Sequence, residues 1–192
     1  MSTLQLSLKR RRRKFSKASE LTSFAKETLL SDASLRGSVV PVGFATLSRR
    51  GHAEYNCEKH NQDSILTAKD DVTGGLLVAI FDGHGELGHR VSHFFKSNLG
   101  KSVFTDPQYP VNPLCSIRRQ LLLLEKYVMD DTNIHCEFSG TTAVVCLVLN
   151  GQVYTAGVGN SRALLAQTQE NEKMVGIQLT TDHLPNLPKE KS

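Results

Sequence analysis

The chain has 192 residues, 39% hydrophobic and 22% charged, with a formal net charge of +4, which places it among soluble globular chains with one sizeable core. No apolar run approaches the roughly 18 residues of a membrane span. Cys57, Cys115, Cys136 and Cys146 form no CxxC pair, so a zinc site is not expected.

The charge is unevenly placed. Residues 1–41 hold nine Lys/Arg and three Asp/Glu, which leaves residues 42–192 at −2. Lys9, Arg10, Arg11, Arg12, Arg13 and Lys14 form one run, with Lys17 close behind. Like charges packed this densely repel one another, and no apolar periodicity offsets them. Residues 1–41 therefore read as a basic, disordered leader. The run fits nuclear import, nucleic-acid contact or attraction to an anionic membrane, and equally a solvated tail with no dedicated partner. No apolar segment follows the charges, which argues against a secretory signal. Ser2 does not fit N-myristoylation. Together with the cysteine usage this points to an intracellular chain, cytoplasmic or nuclear. Within the leader, Leu21, Phe24, Leu29 and Leu30 give residues 19–31 a loose helical face. Residues 32–41 read as a linker, and the domain is placed at 42–192.

Gly43–Ser48 has strand composition, and Arg49–His52 reads as a turn. Ile65–Ala68 is a short strand, and Lys69–Gly75 a hairpin turn. Leu76–Phe81 follows, an apolar run of strand length that ends on Asp82-Gly83-His84-Gly85. A helix is expected from Glu86 to Val103, with Leu87, Val91, Phe94, Phe95 and Leu99 on one face. A proline-containing loop leads to a second helix, Leu114–Asp131, with Ile117, Leu121, Leu124 and Val128 inward and Arg118 and Arg119 solvated. Thr141–Leu149 is a buried strand. Asn150-Gly151 signals a type I′ hairpin into Gln152–Gly159. Arg162–Ala166 and Val175–Leu179 complete the pattern. Two helices and seven or eight strands, mostly in hairpins, imply sheets packed face to face with helices outside.

The chemistry gathers around Asp82. Gly83 and Gly85 let the backbone turn and expose a carbonyl to a ligand. One carboxylate and one carbonyl suit a hard cation, Mg²⁺ or Mn²⁺; the plain alternative is a strand-to-loop turn with an Asx motif. Asp63 stands just before one strand and Asp82 just after its expected antiparallel neighbour, at the same end of the sheet. Two carboxylates so close need a cation between them or a raised pKa. The start of the following helix offers N–H groups that suit phosphate. His89 and His93, at i and i+4, could hold zinc, but no third ligand is near in sequence.

Five separated motifs occur in order: Asn61-Gln62-Asp63, Phe81-Asp82-Gly83-His84-Gly85, Ser139-Gly140-Thr141-Thr142-Ala143, Gly157-Val158-Gly159-Asn160-Ser161-Arg162-Ala163 and Leu179-Thr180-Thr181-Asp182-His183-Leu184-Pro185. Together they resemble the metal-dependent PPM-type protein phosphatases, the protein phosphatase 2C family, from about Gly43 to Glu190. The resemblance implies an α+β fold, the four-layer α-β-β-α sandwich, here C-terminally incomplete. It also implies two Mg²⁺ or Mn²⁺ ions bridged by a water that attacks phosphorus, and phosphoprotein substrates carrying phosphoserine or phosphothreonine. By motif position, Asp82 would bridge the metals, Gly83 would offer its carbonyl, Asp63 would lie in or beside the coordination sphere, and His84 would be the general acid.

The chain departs from the family pattern in four places. Gln62 replaces a common acidic residue. The phosphate-binding arginine is absent from its usual register, which holds Glu58 and Lys59; Lys59, or Arg49 and Arg50, could serve instead. Asn160 replaces an Asp, in a position that reads as a turn. Two further metal-binding aspartates expected later in the domain lie beyond Ser192. The alternative is therefore a catalytically impaired relative that binds partners. A nucleic-acid module is not expected, because the domain is at −2 and lacks a basic aromatic stripe. Asp182 and His183 read as a loop-packing pair.

Overall fold

The structure is a computed structural model that describes residues 25–29 (backbone only), 43–51, 60–131, 133, 134, 136–169 and 172–188. Its elements run β1 (Ala25–Leu29), β2 (Asp63–Lys69), β3 (Leu76–His84), α1 (Gly88–Phe104), α2 (Pro113–Asp130), β4 (Gly140–Thr141), β5 (Ala143–Leu149), β6 (Gln152–Val158), β7 (Leu164–Thr168) and β8 (Met174–Gln178). The main sheet is antiparallel, in the order β1-β6-β5-β3-β2, with β4 paired to the end of β3; β7 and β8 form a separate hairpin.

Alternation along the central strands builds the layers, because successive side chains point to opposite faces. Leu77, Ala79 and Phe81 of β3 and Ala143, Val145, Leu147 and Leu149 of β5 face the helices. They meet Val91, Phe95, Leu99 and Val103 of α1 and Ile117, Leu124 and Val128 of α2. Both helices thus bury the faces that their periodicity marks. Asn112 caps α2 by accepting from the Cys115 N–H, and Pro113 fills the first helical position. The other face of the sheet carries a smaller core, in which Val144 and Val153 pack against Ala163 and Leu179. The β7–β8 hairpin begins the second sheet there, giving helix, sheet and sheet of an α-β-β-α arrangement. Ile80 on that face remains 48% exposed.

The hairpin at Asn150-Gly151 has both residues at positive φ, as a type I′ turn requires. Elsewhere the fold corrects the sequence reading. Within the helix expected over residues 19–31, Ala25–Leu29 is a strand, antiparallel to β6. It lies ahead of Val42 and satisfies the outer backbone groups of β6, a long-range gain that local helical spacing does not register. Gly43–Ser48 is irregular and not a strand. Phe44 and Leu47 there are exposed, and no strand pairs with the segment among the described residues. β3 runs on through Asp82 to His84, because β4 extends the ladder by pairing Gly83 with Thr141 and His84 with Gly140. The turn comes at Gly85, at φ +81°. Arg119 is exposed, as expected, but it also pairs with Asp106 at 2.7 Å, and the Asp106 carboxylate is fully buried.

Candidate active site

Asp63 opens β2 and stands directly opposite Asp82 in the β2–β3 register. The Gly83 N–H donates to the Gln62 carbonyl at 3.2 Å. That bond, one residue outside the pair, identifies Asp63 and Asp82 as a non-hydrogen-bonded pair, the kind whose side chains stand closest. Both point to the face away from the helices. The backbone beneath them is tightly held. Asn61 Oδ1 accepts from the Asp63 N–H at 3.1 Å, and Gln62 Nε2 donates to the Gly85 carbonyl at 2.7 Å. Ser92 of α1 donates to the Gln62 carbonyl at 2.6 Å. Thr142 Oγ1 accepts from the Asp82 N–H at 3.2 Å, and the Thr142 N–H donates to the Asp82 carbonyl at 2.9 Å.

Gly83 is buried where three backbone segments cross. A Cβ there would lie 2.5 Å from the Gly88 carbonyl oxygen and 2.6 Å from that of Gln62. The first turn of α1 therefore presses on the strand between Asp82 and His84, and no side chain fits at Gly83. One N–H at this helix start is already engaged, since Leu87 donates to Ser139 Oγ at 2.9 Å.

A cleft of about 130 Å³ opens over the carboxylates, lined by Arg49, His60, Asn61, Asp63, Asp82 and Gly83 among others. Of the two arginines named from sequence as phosphate candidates, Arg49 lies on the wall of this cleft. Lys59 and the run Lys9–Lys14 fall outside the described residues. His84 shares the Asp82 face, two residues along the strand, but sits on the β4 side and does not line the cleft. Asp82 and His84 are exposed. Among the described residues, no group of three His, Cys, Asp or Glu side chains converges.

A pair of imidazoles was not apparent from sequence. The His60 ring packs against the His89 ring, with centroids 5.4 Å apart, and His89 Nδ1 is buried without a hydrogen-bond partner. Only the helical spacing of His89 and His93 drew attention to this surface, and it suggested the wrong neighbour. Burial, with the nearby His60 and Arg90, holds the His89 imidazole below its ordinary pKa. The folded state therefore stays neutral where the unfolded chain takes up a proton. This contribution is full above the unfolded value of about 6.5, falls as the pH drops through it, and levels below the lower folded value. Urea midpoints are expected to fall from about pH 7.5 to about pH 5. The decline should be shallower in His89→Phe; an equal decline would assign the titration to another group.

Asp182 pairs with the Arg162 guanidinium, and the His183 N–H donates to the Gly159 carbonyl at 2.8 Å. This loop is held structurally: Asp182 is ion-paired with Arg162 and lies within electrostatic reach of His183. The Arg162 pair holds the Asp182 carboxyl below its usual range.

The protein phosphatase 2C family model matches residues 46–192. The chain belongs to the protein phosphatase 2C family. Its curated relatives include probable protein phosphatase 2C 35 of Arabidopsis thaliana, 32% identical over 145 residues that cover 74% of this chain and 41% of that protein. Probable protein phosphatase 2C 64 of Oryza sativa subsp. japonica is 34% identical over 143 residues, 68% of this chain and 33% of the relative. Among solved structures, the serine-threonine phosphatase 2C from Toxoplasma gondii aligns with a TM-score of 0.57 at 19% identity, covering 70% of this chain and 49% of that one. The Mycobacterium tuberculosis serine/threonine phosphatase PstP/Ppp gives 0.54 at 17% identity, covering 83% and 55%. The two structures show a common phosphatase 2C fold. The chain spans about two fifths of the first of these curated relatives. The phosphatase 2C family is metal-dependent. Among the described residues, no helix is long and apolar enough to cross a membrane.

Proposed function

We propose that the chain acts in the dephosphorylation of phosphoserine and phosphothreonine in proteins, with Asp63 and Asp82 as its metal-binding carboxylates. The observation that carries this reading is the direct cross-strand pairing of the two residues at the cleft. The donor set fits Mg²⁺ or Mn²⁺: hard carboxylate and carbonyl oxygens, side by side on a rigid backbone. Asp82 would contribute to two ions, with Asp63 and the Gly83 carbonyl completing this side of the site. When bound, such ions would lower the pKa of an attacking water and polarise the phosphoryl oxygens.

The chain's own residues divide the remaining work. Arg49 offers a planar fork of donors to phosphate, which Lys59 could match only as a point charge. His84 gives its imidazole proton to the departing serine or threonine oxygen, so that an alkoxide is not expelled. The Gly83–Gly88 contact and the Gln62–Gly85 bond keep Asp82 and His84 in fixed relation to the start of α1.

One observation favours a second reading, a phosphatase 2C relative that binds partners with impaired turnover. Among the described residues, no third ligating side chain joins Asp63 and Asp82. The two readings separate in an assay of Mn²⁺-dependent phosphate release from a phosphothreonine peptide. Turnover supports the first, and its KM is expected to rise roughly tenfold or more in Arg49→Ala, the loss of a charged hydrogen bond. A folded chain with no turnover supports the second. Turnover with an unchanged KM in Arg49→Ala would assign the phosphate to another cation.

A further inference from the structure

We infer that Gly140 is a positioning residue for the His84 imidazole. This inference rests on the reading of His84 as the general acid and assigns a purpose to the Ser139-Gly140 step that the metal chemistry leaves unused. Gly140 is the register partner of His84 in the β3–β4 pair. A Cβ built on Gly140 would lie 2.8 Å from His84 Nε2 and 3.1 Å from Cε1. The ring therefore occupies the volume in which any other residue would place its side chain. Packing over the bare backbone of Gly140 is therefore what sets the direction of Nε2.

The seat itself is rigid. A Cβ on Gly85 would lie 2.1 Å from the Phe138 carbonyl oxygen, so residues 138–140 are closely applied to the turn after His84. Ser139 Oγ accepts from the Leu87 N–H at 2.9 Å, which ties the same segment to the start of α1. β4 thus holds the strand end, the turn and the helix start together, and Gly140 presents a gap at the one place where the imidazole lies. The clash differs in kind from those at Gly83 and Gly85. There an added Cβ meets backbone, which cannot yield. At Gly140 it meets the end of a rotatable side chain. Gly140→Ala should therefore fold and turn the ring aside.

The test has a structural arm and a catalytic arm. In the intact chain, NMR is expected to show an NOE between the His84 Hε1 proton and the Gly140 Hα protons. In Gly140→Ala the His84 Cε1–H cross-peak is expected to shift, while amide shifts in α2 and β6 hold. In the catalytic arm, Gly140→Ala is expected to lose roughly 10- to 100-fold in turnover of a phosphothreonine peptide, whose leaving group needs a proton. It should stay within about threefold on p-nitrophenyl phosphate, whose leaving group does not. His84→Ala/Gly140→Ala should lose no more than His84→Ala, since both act through one imidazole. No NOE, or an unmoved His84 cross-peak in the variant, overturns the inference. An NOE and a moved cross-peak, without the substrate-selective loss, leave Gly140 as the seat and instead remove His84 from the acid role.

Discussion

Asp82→Asn is expected to raise the melting temperature of the metal-free protein and to abolish its further rise on adding Mn²⁺. The first effect follows from the β2–β3 register, which puts Asp63 and Asp82 directly opposite each other. Like charges at such a position destabilise a sheet by roughly 0.2–1 kcal/mol. Removing one charge should recover that amount, about 1–3 °C in a domain of this size. The second effect is larger. A cation that binds only the folded state at about 100 times its Kd adds about 2.7 kcal/mol, or roughly 5–10 °C. Differential scanning calorimetry of both proteins with and without Mn²⁺ reads both signs at once. A variant that keeps the full Mn²⁺ response would show that the pair is not a cation site.

Asp106→Ala is expected to cost about 3 kcal/mol, the typical loss when a buried ion pair is broken from one side. Asp106 lies between the helices, 3% exposed. Its carboxylate accepts from Arg119 Nε at 2.8 Å, Gln120 Nε2 at 2.6 Å, the Gln108 N–H at 2.8 Å and Ser116 Oγ at 3.3 Å. Truncation strands several donors at once, and two of them belong to the inner face of α2. Arg119→Ala should cost less, because its side chain is 44% exposed and the other donors still hold the carboxylate. Burial pushes the Asp106 carboxyl up, but the bonds from Gln120, the Gln108 N–H and Arg119 outweigh it and leave its pKa below the ordinary value. This contribution is therefore complete above the unfolded value of about 3.9 and lost as the pH falls through the lower folded value. Chemical denaturation at neutral and at acid pH measures both. A loss below about 1 kcal/mol in Asp106→Ala would mean that the network adds little to helix packing.

Much of this arrangement was legible before any coordinates. The runs Leu76–Phe81 and Ala143–Leu149 are apolar because both faces of the sheet centre carry core, and the inward residues of α1 and α2 recur at helical spacing. The adjacency of Asp63 and Asp82 followed from one hairpin, a local relation. What escaped the sequence reading was long-range. β1 is a strand because β6 offers it an edge, and residues 25–29 carry no local mark of that. β3 outlasts its apolar run because β4, more than 50 residues on, continues its ladder. Arg119 is exposed as its helical position implies, but its ion pair with the buried Asp106 carries no mark in the sequence. Tertiary placement alone puts Arg49, and not Arg50, on the cleft wall, and His60 meets His89 across the gap between a loop and a helix. Each of the five motifs sits at a strand end, where a short signature and a backbone constraint coincide.

The most direct test of the account is a Mn²⁺ titration of the ¹⁵N-labelled chain followed by NMR, in which the paramagnetic ion broadens the amides nearest to it. The account predicts broadening that starts at residues 61–64 and 82–84, on both sides of the Asp63–Asp82 pair, and that disappears in Asp82→Asn. Broadening centred on His60 and His89, or spread over the acidic surface and unchanged in the variant, would contradict it.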